Sequence, residues 1–308
     1  MNSGKIVVVG SSNTDIVIKS DHIPEPGETI LGGTFFMNPG GKGANQAVAV
    51  SRLGGDVVFV TKTGNDLFGR QSVGHYANEG INTEYIVSDP KNPSGVALIM
   101  VDSKGENSIA VASGANGSLS IKDVSAAEKE IENAAIALMQ MEIPMDVIEY
   151  VARIAYKKGV KVILNPAPAA PLSDMLLSCL YMITPNRSEA EMISGVKVTD
   201  WESARLAADV ISKKGVNNVV ITLGSLGAMI KEGEKYHNVP AEKVQAVDTT
   251  GAGDVFNGSI CVALAEGKSV LDAVKFASVA ASIAVTRMGA QSAIPYRREL
   301  DDAMRMKG

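Results

Sequence analysis

Apolar residues follow two alternating patterns along this chain. Short apolar runs bounded by Gly, Pro or Asn predict buried strands at residues 6–9, 57–61, 136–141, 160–164, 181–184 and 219–222. Longer stretches with apolar residues at helical spacing predict helices at residues 44–53, 67–79, 121–133, 145–158, 203–214, 254–266 and 270–286. Strands that alternate with helices in this way are typical of the α/β class, in which helices cover a mainly parallel sheet.

Two segments depart from that alternation and predict a second, smaller sheet. Residues 16–37 are rich in β-branched and turn-forming residues, and residues 95–112 have the pattern of two strands joined by a turn. Neither segment has a helix of its own to cover it, so we expect both to lie over one edge of the main sheet as a lid. We place this lid at about residues 13–37 and 93–112 of a single domain, because no repeat or flexible linker divides residues 1–308.

Composition indicates a folded globular protein that does not bind nucleic acid. Hydrophobic residues make up 45% of the 308 residues and charged residues 20%, which leaves no compositional case for disorder. The formal net charge is -5, and the lysines and arginines are scattered along the chain. The basic stripe expected of a nucleic-acid binder is therefore missing.

The expected location is the cytoplasm. Cys179 and Cys261 lie far apart without metal-ligand or redox spacing, so we expect both to be reduced residues of the core. The apolar run at residues 6–9 is too short for a signal peptide. No run approaches the roughly 18 apolar residues that a membrane helix requires.

A glycine-rich turn leads into the helix predicted at residues 254–266. Residues 248–258 have the sequence DTTGAGDVFNG. Unpaired N–H groups at a helix N-terminus attract anions, so Gly251, Ala252 and Gly253 could hold a phosphoryl oxygen with no large side chain in the way. Asp254 would then stand beside that anion and could accept the proton of an attacking hydroxyl. The alternative is that Asp254 only caps the helix, since Asp is a favoured N-cap.

A second glycine-rich segment, NPGGKGAN at residues 38–45, also leads into an apolar helix. It does not match a P-loop, because Lys42 is followed by Gly43 rather than Ser or Thr, and no glycine stands five residues before Gly41. It does not match the dinucleotide-binding fingerprint either, because Gln46 occupies the place of the last glycine. The segment therefore needs another explanation.

Polar residues near strand ends complete the candidate site. Asn13 and Asp15 follow the first predicted strand, and Glu142 follows the strand predicted at residues 136–141. Open α/β sheets bind ligands at the carboxyl ends of their strands, where such side chains can bind the hydroxyls of a polyol. Each residue also has a plainer explanation: Asn13 and Asp15 as turn formers, and Lys42 as a solvated surface charge.

Taken together, GGKGAN at 40–45 and DTTGAGD at 248–254 resemble the two signature regions of the ribokinase family of carbohydrate kinases. Further similar segments lie along the whole chain: NTD at 13–15, NPAP at 165–168, TPNRSEAE at 184–191, ITLGSLGA at 221–228 and VTRMGAQ at 285–291. The resemblance implies a ribokinase-like three-layer α/β sandwich with a small β-sheet lid. It also implies ATP-dependent phosphorylation of D-ribose at O5.

The same resemblance implies roles for individual residues. Asp254 would be the general base, with an anion hole made by Gly251, Ala252 and Gly253. The sugar hydroxyls would be bound by Asn13, Asp15, Gly41, Lys42, Asn45 and Glu142. ATP would be bound by Asn186, Glu189, Thr222, Leu223, Gly224, Ser225, Leu226, Gly227 and Gly253, with Mg²⁺ ordered through water by Glu189. An activating K⁺ would be held, mostly through backbone carbonyls, by Asp248, Thr250, Ala284, Arg287 and Gly289.

The chain departs from the family pattern at two positions. Ser278 replaces a histidine that lies near the adenine in some members, and Ala293 stands where a serine often helps to close the cation loop. These departures concern adenine packing and cation affinity, not the reaction.

Three alternative functions are a sister kinase with another acceptor, a silent sugar-binding or regulatory protein, and a hydrolase. The same clamp would suit a sister kinase for deoxyribose, fructose, adenosine or another nucleoside. A silent sugar-binding or regulatory protein would have the fold without the base, which the presence of Asp254 argues against. A hydrolase has no support, because no Gly-x-Ser-x-Gly elbow occurs and His22, His75 and His237 have no evident metal partners; we expect all three on the surface or lid. An exposed lid edge also predicts a homodimer through the lid.

Overall fold

The computed structural model describes residues 4–306 of the chain, in which strands and helices alternate. The strands are β1 (Ile6–Val9), β2 (Asn13–Lys19), β3 (Thr34–Gly40), β4 (Val57–Gly64), β5 (Ile86–Asp89), β6 (Gly95–Val101), β7 (Asn107–Ala112), β8 (Ile136–Met139), β9 (Lys161–Leu164), β10 (Met182–Ile183), β11 (Asn218–Thr222), β12 (Gly227–Glu232) and β13 (Lys235–Pro240). The helices are α1 (Lys42–Arg52), α2 (Leu67–Asn78), α3 (Ile121–Ser125), α4 (Glu128–Asn133), α5 (Met145–Lys157), α6 (Asp174–Cys179), α7 (Arg187–Ser194), α8 (Trp201–Lys213), α9 (Ala252–Ala265), α10 (Val270–Ala284) and α11 (Arg297–Arg305).

The larger sheet is mainly parallel. Its strand order across the described residues is β13-β12-β11-β10-β9-β8-β1-β4-β5, and its antiparallel pairs are those that β12 makes with β11 and β13. The strands from β8 to β11, together with β1 and β4, point the same way. Their carboxyl ends therefore lie along one edge, where sheets of this kind bind ligands.

Apolar side chains pack on both faces of the larger sheet. Along β1, Ile6 and Val8 belong to one core cluster and Val7 and Val9 to the other, and all four are fully buried. The first cluster includes residues of α1, α9 and α10, and the second includes residues of α5 and α8. Burial on both faces explains why the predicted strands are continuously apolar. The predicted α/β sandwich of three layers is confirmed.

A separate sheet is formed in the order β3-β2-β6-β7. β2 pairs antiparallel with β3 and parallel with β6, and β6 and β7 form a hairpin. In the hairpin turn, the Asp102 carboxylate accepts hydrogen bonds from the backbone N–H groups of Lys104 and Glu106, both at 2.8 Å. This is the second sheet that the sequence predicts. Its first strand begins at Asn13 and its second ends at Gly40, so this part of the sheet reaches closer to the glycine-rich segment than residues 16–37 suggest.

The single helix predicted at residues 121–133 is wrong. Two short helices, α3 and α4, replace it, and the chain turns between them at Ala126 and the buried Ala127. The predicted strand 181–184 is reduced to Met182–Ile183, and the helix predicted from residue 254 begins earlier, at Ala252. Several elements are not predicted at all: β5, β12, β13, α6, α7 and α11.

The described residues show where both cysteines lie and how long and apolar the helices are. Cys179 and Cys261 are both buried and free, as expected of core residues. Within residues 4–306, no helix combines the length and apolar character needed to cross a bilayer.

Candidate active site

Three cavities adjoin one another at the carboxyl edge of the larger sheet. The first, of about 750 Å³, lies between this edge and the second sheet, whose Ala97, Ile99, Ile109 and Val111 form an apolar wall. The second measures about 360 Å³, and a smaller one of about 150 Å³ shares residues with both. The side chain of Asp254 lines both the first and the smaller cavity. A molecule in the first cavity therefore faces this carboxylate.

Asp254 lies in the first turn of α9 but does not cap it. The helix begins after Gly251, whose φ of 73° is left-handed and favours glycine. The two carboxylate oxygens of Asp254 instead accept hydrogen bonds from Asn45 Nδ2 and Gln46 Nε2, each at 2.9 Å. Helix capping, the alternative explanation of Asp254, is thus not its role. Both donors come from α1, which holds the carboxylate in one orientation.

Charge around Asp254 is balanced by Lys42. Burial raises the pKa of Asp254, although the Lys42 ammonium and the donors Asn45 and Gln46 oppose the increase. Burial also disfavours the charge of Lys42, but the carboxylates of Asp254 and Glu142 outweigh burial and raise the pKa of Lys42. Lys42 lines both the first and the smaller cavity, so a cation stands where they meet.

The predicted sugar-binding residues all line the first cavity: Asn13, Asp15, Gly41, Lys42, Asn45 and Glu142. Asn13 Oδ1 accepts from Asn116 Nδ2 at 2.8 Å, and Glu142 Oε2 accepts from the Ser11 hydroxyl and from the backbone N–H of Lys42. These contacts bring together residues from β2, α1 and the segment after β8. The residues that the sequence groups together are thus neighbours in the fold.

Asp15 differs from its neighbours because its half-buried carboxylate has no donor. Within the described residues, no other group donates a hydrogen bond to it. Burial raises the pKa of Asp15 to about 6, and the negative charges of Glu142 and Asp254 add to the effect. A carboxylate that lines a cavity and accepts no hydrogen bond from the protein is available to accept hydrogen bonds from a ligand.

Close backbone packing explains the glycines of GGKGAN. Gly41 has a φ of 89°, and a Cβ there would lie 2.7 Å from the backbone nitrogen of Asn13. A Cβ at Gly43 would lie 2.5 Å from the backbone nitrogen of Ser11. Only glycines let the start of α1 approach the chain after β1 this closely.

The smaller cavity is lined by polar groups from several strand ends. Asn186 and Glu189 form a capping box at the start of α7, where Asn186 Nδ2 donates to Glu189 Oε1 at 2.8 Å. Burial raises the pKa of Glu189. The other polar residues of this cavity are Lys42, Asn165, Thr184, Thr222, Asp254 and Asn257.

The second cavity contains most of the residues predicted for ATP. Thr222, Gly224, Ser225, Gly227 and Gly253 line it. Leu223 and Leu226 do not: Leu223 packs in the core, and Leu226 is partly exposed. The other residues that line it are mostly small or apolar, with Glu242 as the charged one: Ala228, Ala241, Glu242, Val244, Ala246, Thr249, Ala252, Phe256, Ser278, Ala281, Ser282 and Val285.

The residues predicted for K⁺ lie on two segments that contact each other. Asp248 accepts from the backbone and hydroxyl of Thr250, at 2.9 and 2.7 Å, and from Gly289 N at 2.9 Å. These hydrogen bonds lower the pKa of Asp248 although burial opposes them. The Ala284 carbonyl accepts from Arg287 N at 3.0 Å, and the Arg287 side chain pairs with Glu299 rather than with Asp248.

In the described part of the chain, neither Mg²⁺ nor K⁺ has a site built entirely from side-chain ligands. No group of three or more His, Cys, Asp or Glu side chains there could hold a metal ion. Mg²⁺ is usually held by one or two carboxylates together with substrate phosphates, so a site with Glu189 in the wall of the cavity of about 150 Å³ fits that mode. Carboxylate and carbonyl oxygens at Asp248, Thr250 and Gly289 are ligands that suit a hard cation.

Four amide residues around the base were not assigned a role from the sequence: Gln46, Gln140, Asn165 and Gln291. Gln46 donates to both Asp254 and Asn165 and accepts from Gln140 Nε2 at 2.6 Å. Gln291 donates to Asn45 Oδ1 at 3.0 Å. Gln46 directly follows GGKGAN, and Gln291 is the last residue of VTRMGAQ. The sequence does not indicate which groups an amide side chain will bind, and the partners here come from distant parts of the chain.

Comparison with known proteins identifies the family. Residues 3–297 match the model of the pfkB family of carbohydrate kinases. The chain belongs to this family and is a carbohydrate kinase, which confirms the resemblance seen in its motifs.

The similar proteins include two named sugar kinases and one solved structure with bound ligands. A Haemophilus influenzae protein named ribokinase is 47% identical over 294 residues, which cover 96% of both chains. A Salmonella typhi protein named deoxyribokinase is 35% identical over 298 residues, covering 96% of this chain and 97% of its own. The solved structure of Arabidopsis thaliana ribokinase complexed with ribose and ATP has a TM-score of 0.92 and 34% identity, covering 99% of each chain.

Proposed function

We propose that this protein transfers the γ-phosphoryl group of ATP to O5 of D-ribose, giving D-ribose 5-phosphate and ADP. The observation that carries the proposal is the position of Asp254, which lines both a polar cavity suited to a polyol and a smaller cavity at the start of α9. The relative at 47% identity is named ribokinase, which supports D-ribose as the acceptor.

In this proposal, Asp254 acts as the general base. A sugar in the first cavity would be held by hydrogen bonds from its hydroxyls to Asp15, Asn13 and Glu142. Its O5 hydroxyl would donate its proton to the Asp254 carboxylate as the oxygen attacks phosphorus. Base catalysis of this kind contributes roughly 10² to 10⁴-fold.

The start of α9 and Lys42 would stabilise the transferring phosphoryl group. Gly251 and Gly253 at the start of the helix line the small cavity together with Lys42, whereas the N–H of Ala252 donates to the Thr249 carbonyl at 3.2 Å. Phosphoryl transfer depends mainly on such alignment and charge stabilisation. Mg²⁺, ordered through water by Glu189 in this proposal, would neutralise charge on the ATP phosphates.

Deoxyribose is the second candidate acceptor, because a relative at 35% identity is named deoxyribokinase. An ADP-release assay across pentoses, hexoses and nucleosides separates the candidates. We expect the highest kcat/KM for D-ribose, and a higher value for 2-deoxy-D-ribose, fructose or adenosine would reject D-ribose as the preferred acceptor. Because ATP is the proposed donor, we place the reaction in the cytoplasm.

Asp15→Asn should weaken D-ribose binding and yet stabilise the fold. The half-buried carboxylate has its pKa raised to about 6, so at neutral pH its ionised form costs folding free energy, about 1 to 3 kcal/mol. Because the folded state binds the proton more tightly than the unfolded state, the stability gain of the variant should be present above pH 6 and fade as the pH falls toward 4. Calorimetry with D-ribose and thermal melts at several pH values measure both effects. Unchanged D-ribose affinity would remove Asp15 from the site.

We also propose that K⁺ activates the enzyme at the segment pair containing Asp248 and Gly289. A bound cation would fix the loop that presents residues 251–253. We expect the initial rate to fall at least about tenfold when K⁺ is replaced by tetramethylammonium at fixed ionic strength, because anion-hole donors lose their alignment. Asp248→Ala should abolish this cation dependence. Equal rates in K⁺, Na⁺ and tetramethylammonium would contradict the site.

A homodimer through the second sheet is proposed as well. Ile18, Phe35, Met37 and Leu98 lie on one face of that sheet, because Ile18 pairs with Phe35 and Ile16 pairs with both Met37 and Leu98. All four of these large side chains are exposed, Phe35 by 60% and Leu98 by 53%. An apolar patch of this kind marks an interaction surface.

Leu98→Asp should convert the dimer to a monomer, because a charge would enter the apolar interface. Leu206→Asp is the matched control, since Leu206 is 52% exposed on α8, outside the second sheet. Sedimentation velocity distinguishes the two states. A wild-type protein that sediments as a monomer at micromolar concentration would reject the dimer.

A further inference from the structure

A directed chain of hydrogen bonds runs from α2 to the proposed base. His75 Nε2 lies 2.8 Å from Gln291 Oε1, Gln291 Nε2 donates to Asn45 Oδ1 at 3.0 Å, and Asn45 Nδ2 donates to Asp254 Oδ2 at 2.9 Å. An ionised carboxylate can only accept, so it fixes the orientation of the Asn45 amide, which in turn fixes that of Gln291. The Gln291 oxygen then requires a hydrogen on His75 Nε2. Each link therefore determines the next.

The backbone of Gln291 is also fixed. Arg52 Nη1 donates to the carbonyl oxygens of Gln291 and Ile294, at 2.7 and 3.1 Å. Arg52 is itself paired with Glu79, the residue that follows α2, at 2.8 and 2.6 Å. Gln291 is 2% exposed. The side chain of Gln291 is thus held by His75 of α2 and its main chain by Arg52 of α1, which leaves the amide no easy alternative position.

We propose that Gln291 and His75 are positioning residues for the base, with Gln291 holding the Asn45 amide so that its N–H stays in line with Asp254. This proposal rests on the function proposed above. Neither Gln291 nor His75 lines any of the three cavities, so they act through Asn45 rather than on the sugar. Without Gln291, the Asn45 oxygen loses its donor, so the amide is held only by its bond to Asp254 and can tilt out of line with the carboxylate.

The first test is Gln291→Met, which keeps the length of the side chain and removes both polar groups. We expect kcat with D-ribose to fall about 10- to 100-fold, the range for a lost hydrogen bond to a charged group, while the KM for ATP stays within about twofold. Gln291→Glu should reduce kcat at least as much, since it still accepts from His75 but cannot donate to Asn45.

The pH profile gives a readout that a purely structural role would not change. Losing the Asn45 hydrogen bond removes a group that favours the ionised form of Asp254, so the acid limb of kcat/KM should move to higher pH in Gln291→Met. The other charged groups that face Asp254 remain in place: Asp15, Lys42, Glu142 and Glu189.

Substitutions at His75 provide an independent comparison. His75→Ala should lower kcat about 3- to 10-fold, as expected for one neutral hydrogen bond acting indirectly, and His75→Gln should restore it because its amide can donate to Gln291. Should Gln291→Met fail to fold, this pair still decides the question. Leu300→Ala is the control for lost stability, because Leu300 is fully buried in α11 and its apolar side chain takes no part in the chain of hydrogen bonds.

The outcomes separate this proposal from the proposed function. If Gln291→Met and His75→Ala both match Leu300→Ala in kcat and in pH profile, the positioning role is overturned. If instead the wild-type protein does not phosphorylate D-ribose, or if the Asp254→Asn variant retains the wild-type rate, the proposed function is the part that fails.

Discussion

Asp254→Asn should lower kcat for D-ribose by about 10² to 10⁴-fold, because the amide cannot take a proton from the attacking hydroxyl. The variant also disturbs the donors around it, since both carboxylate oxygens accept amide N–H groups from Asn45 and Gln46 and one of these would face the new NH₂ group. Removing a buried charge should leave the protein folded. Steady-state kinetics and ATP titration measure the two effects separately.

Asp272→Asn is the matched control for this experiment. Asp272 occupies the same position in the first turn of α10, three residues after the N-cap Ser269, as Asp254 does after Gly251. It is exposed and lines none of the three cavities. The control therefore reproduces the loss of a charge at a helix N-terminus without touching the site. A near wild-type rate in Asp254→Asn would show that another group is the base.

Much of the fold could be predicted because its strands are buried on both faces. Runs such as Ile6–Val9 are continuously apolar, and the helices between them have a clear apolar period. The short elements escaped prediction for a physical reason. α6 has six residues and β10 has two, which is too few to display a period, and β12 and β13 mix polar and apolar positions.

The glycine-rich turns of the site were visible in the sequence, but the groups that orient the base were not. Asp254 and its donor Gln46 are 208 residues apart in sequence. They meet because α1 and α9 pack closely at Gly258, where a Cβ would lie 2.7 Å from that of Ala49 and 2.8 Å from the Gln46 carbonyl. Local pattern indicates that Gly258 lies in a helix, whereas only the packed structure shows which helix it approaches.

The surroundings of Gly253, like those of Gly258, depend on the packed structure rather than on the local sequence. Gly253 is the second residue of α9 and lines both the second and the smaller cavity. A Cβ built on it meets no atom within 4 Å, so the space beside it is open. In the proposed function that space receives the phosphates of ATP. A methyl group there would remove room for phosphate without clashing with the protein.

Gly253→Ala should therefore separate stability from activity. Replacing a helical glycine by alanine usually gains about 0.5 to 1 kcal/mol, so the variant should melt no lower than the wild type. We expect kcat/KM for ATP to fall about 10² to 10³-fold, the loss seen when a donor to the developing charge is displaced, with D-ribose affinity unchanged. Gly74→Ala is the matched control, since it lies in α2 and its Cβ also meets no atom within 4 Å. Full ATP turnover by Gly253→Ala would place the phosphates elsewhere and reject the anion hole at the start of α9.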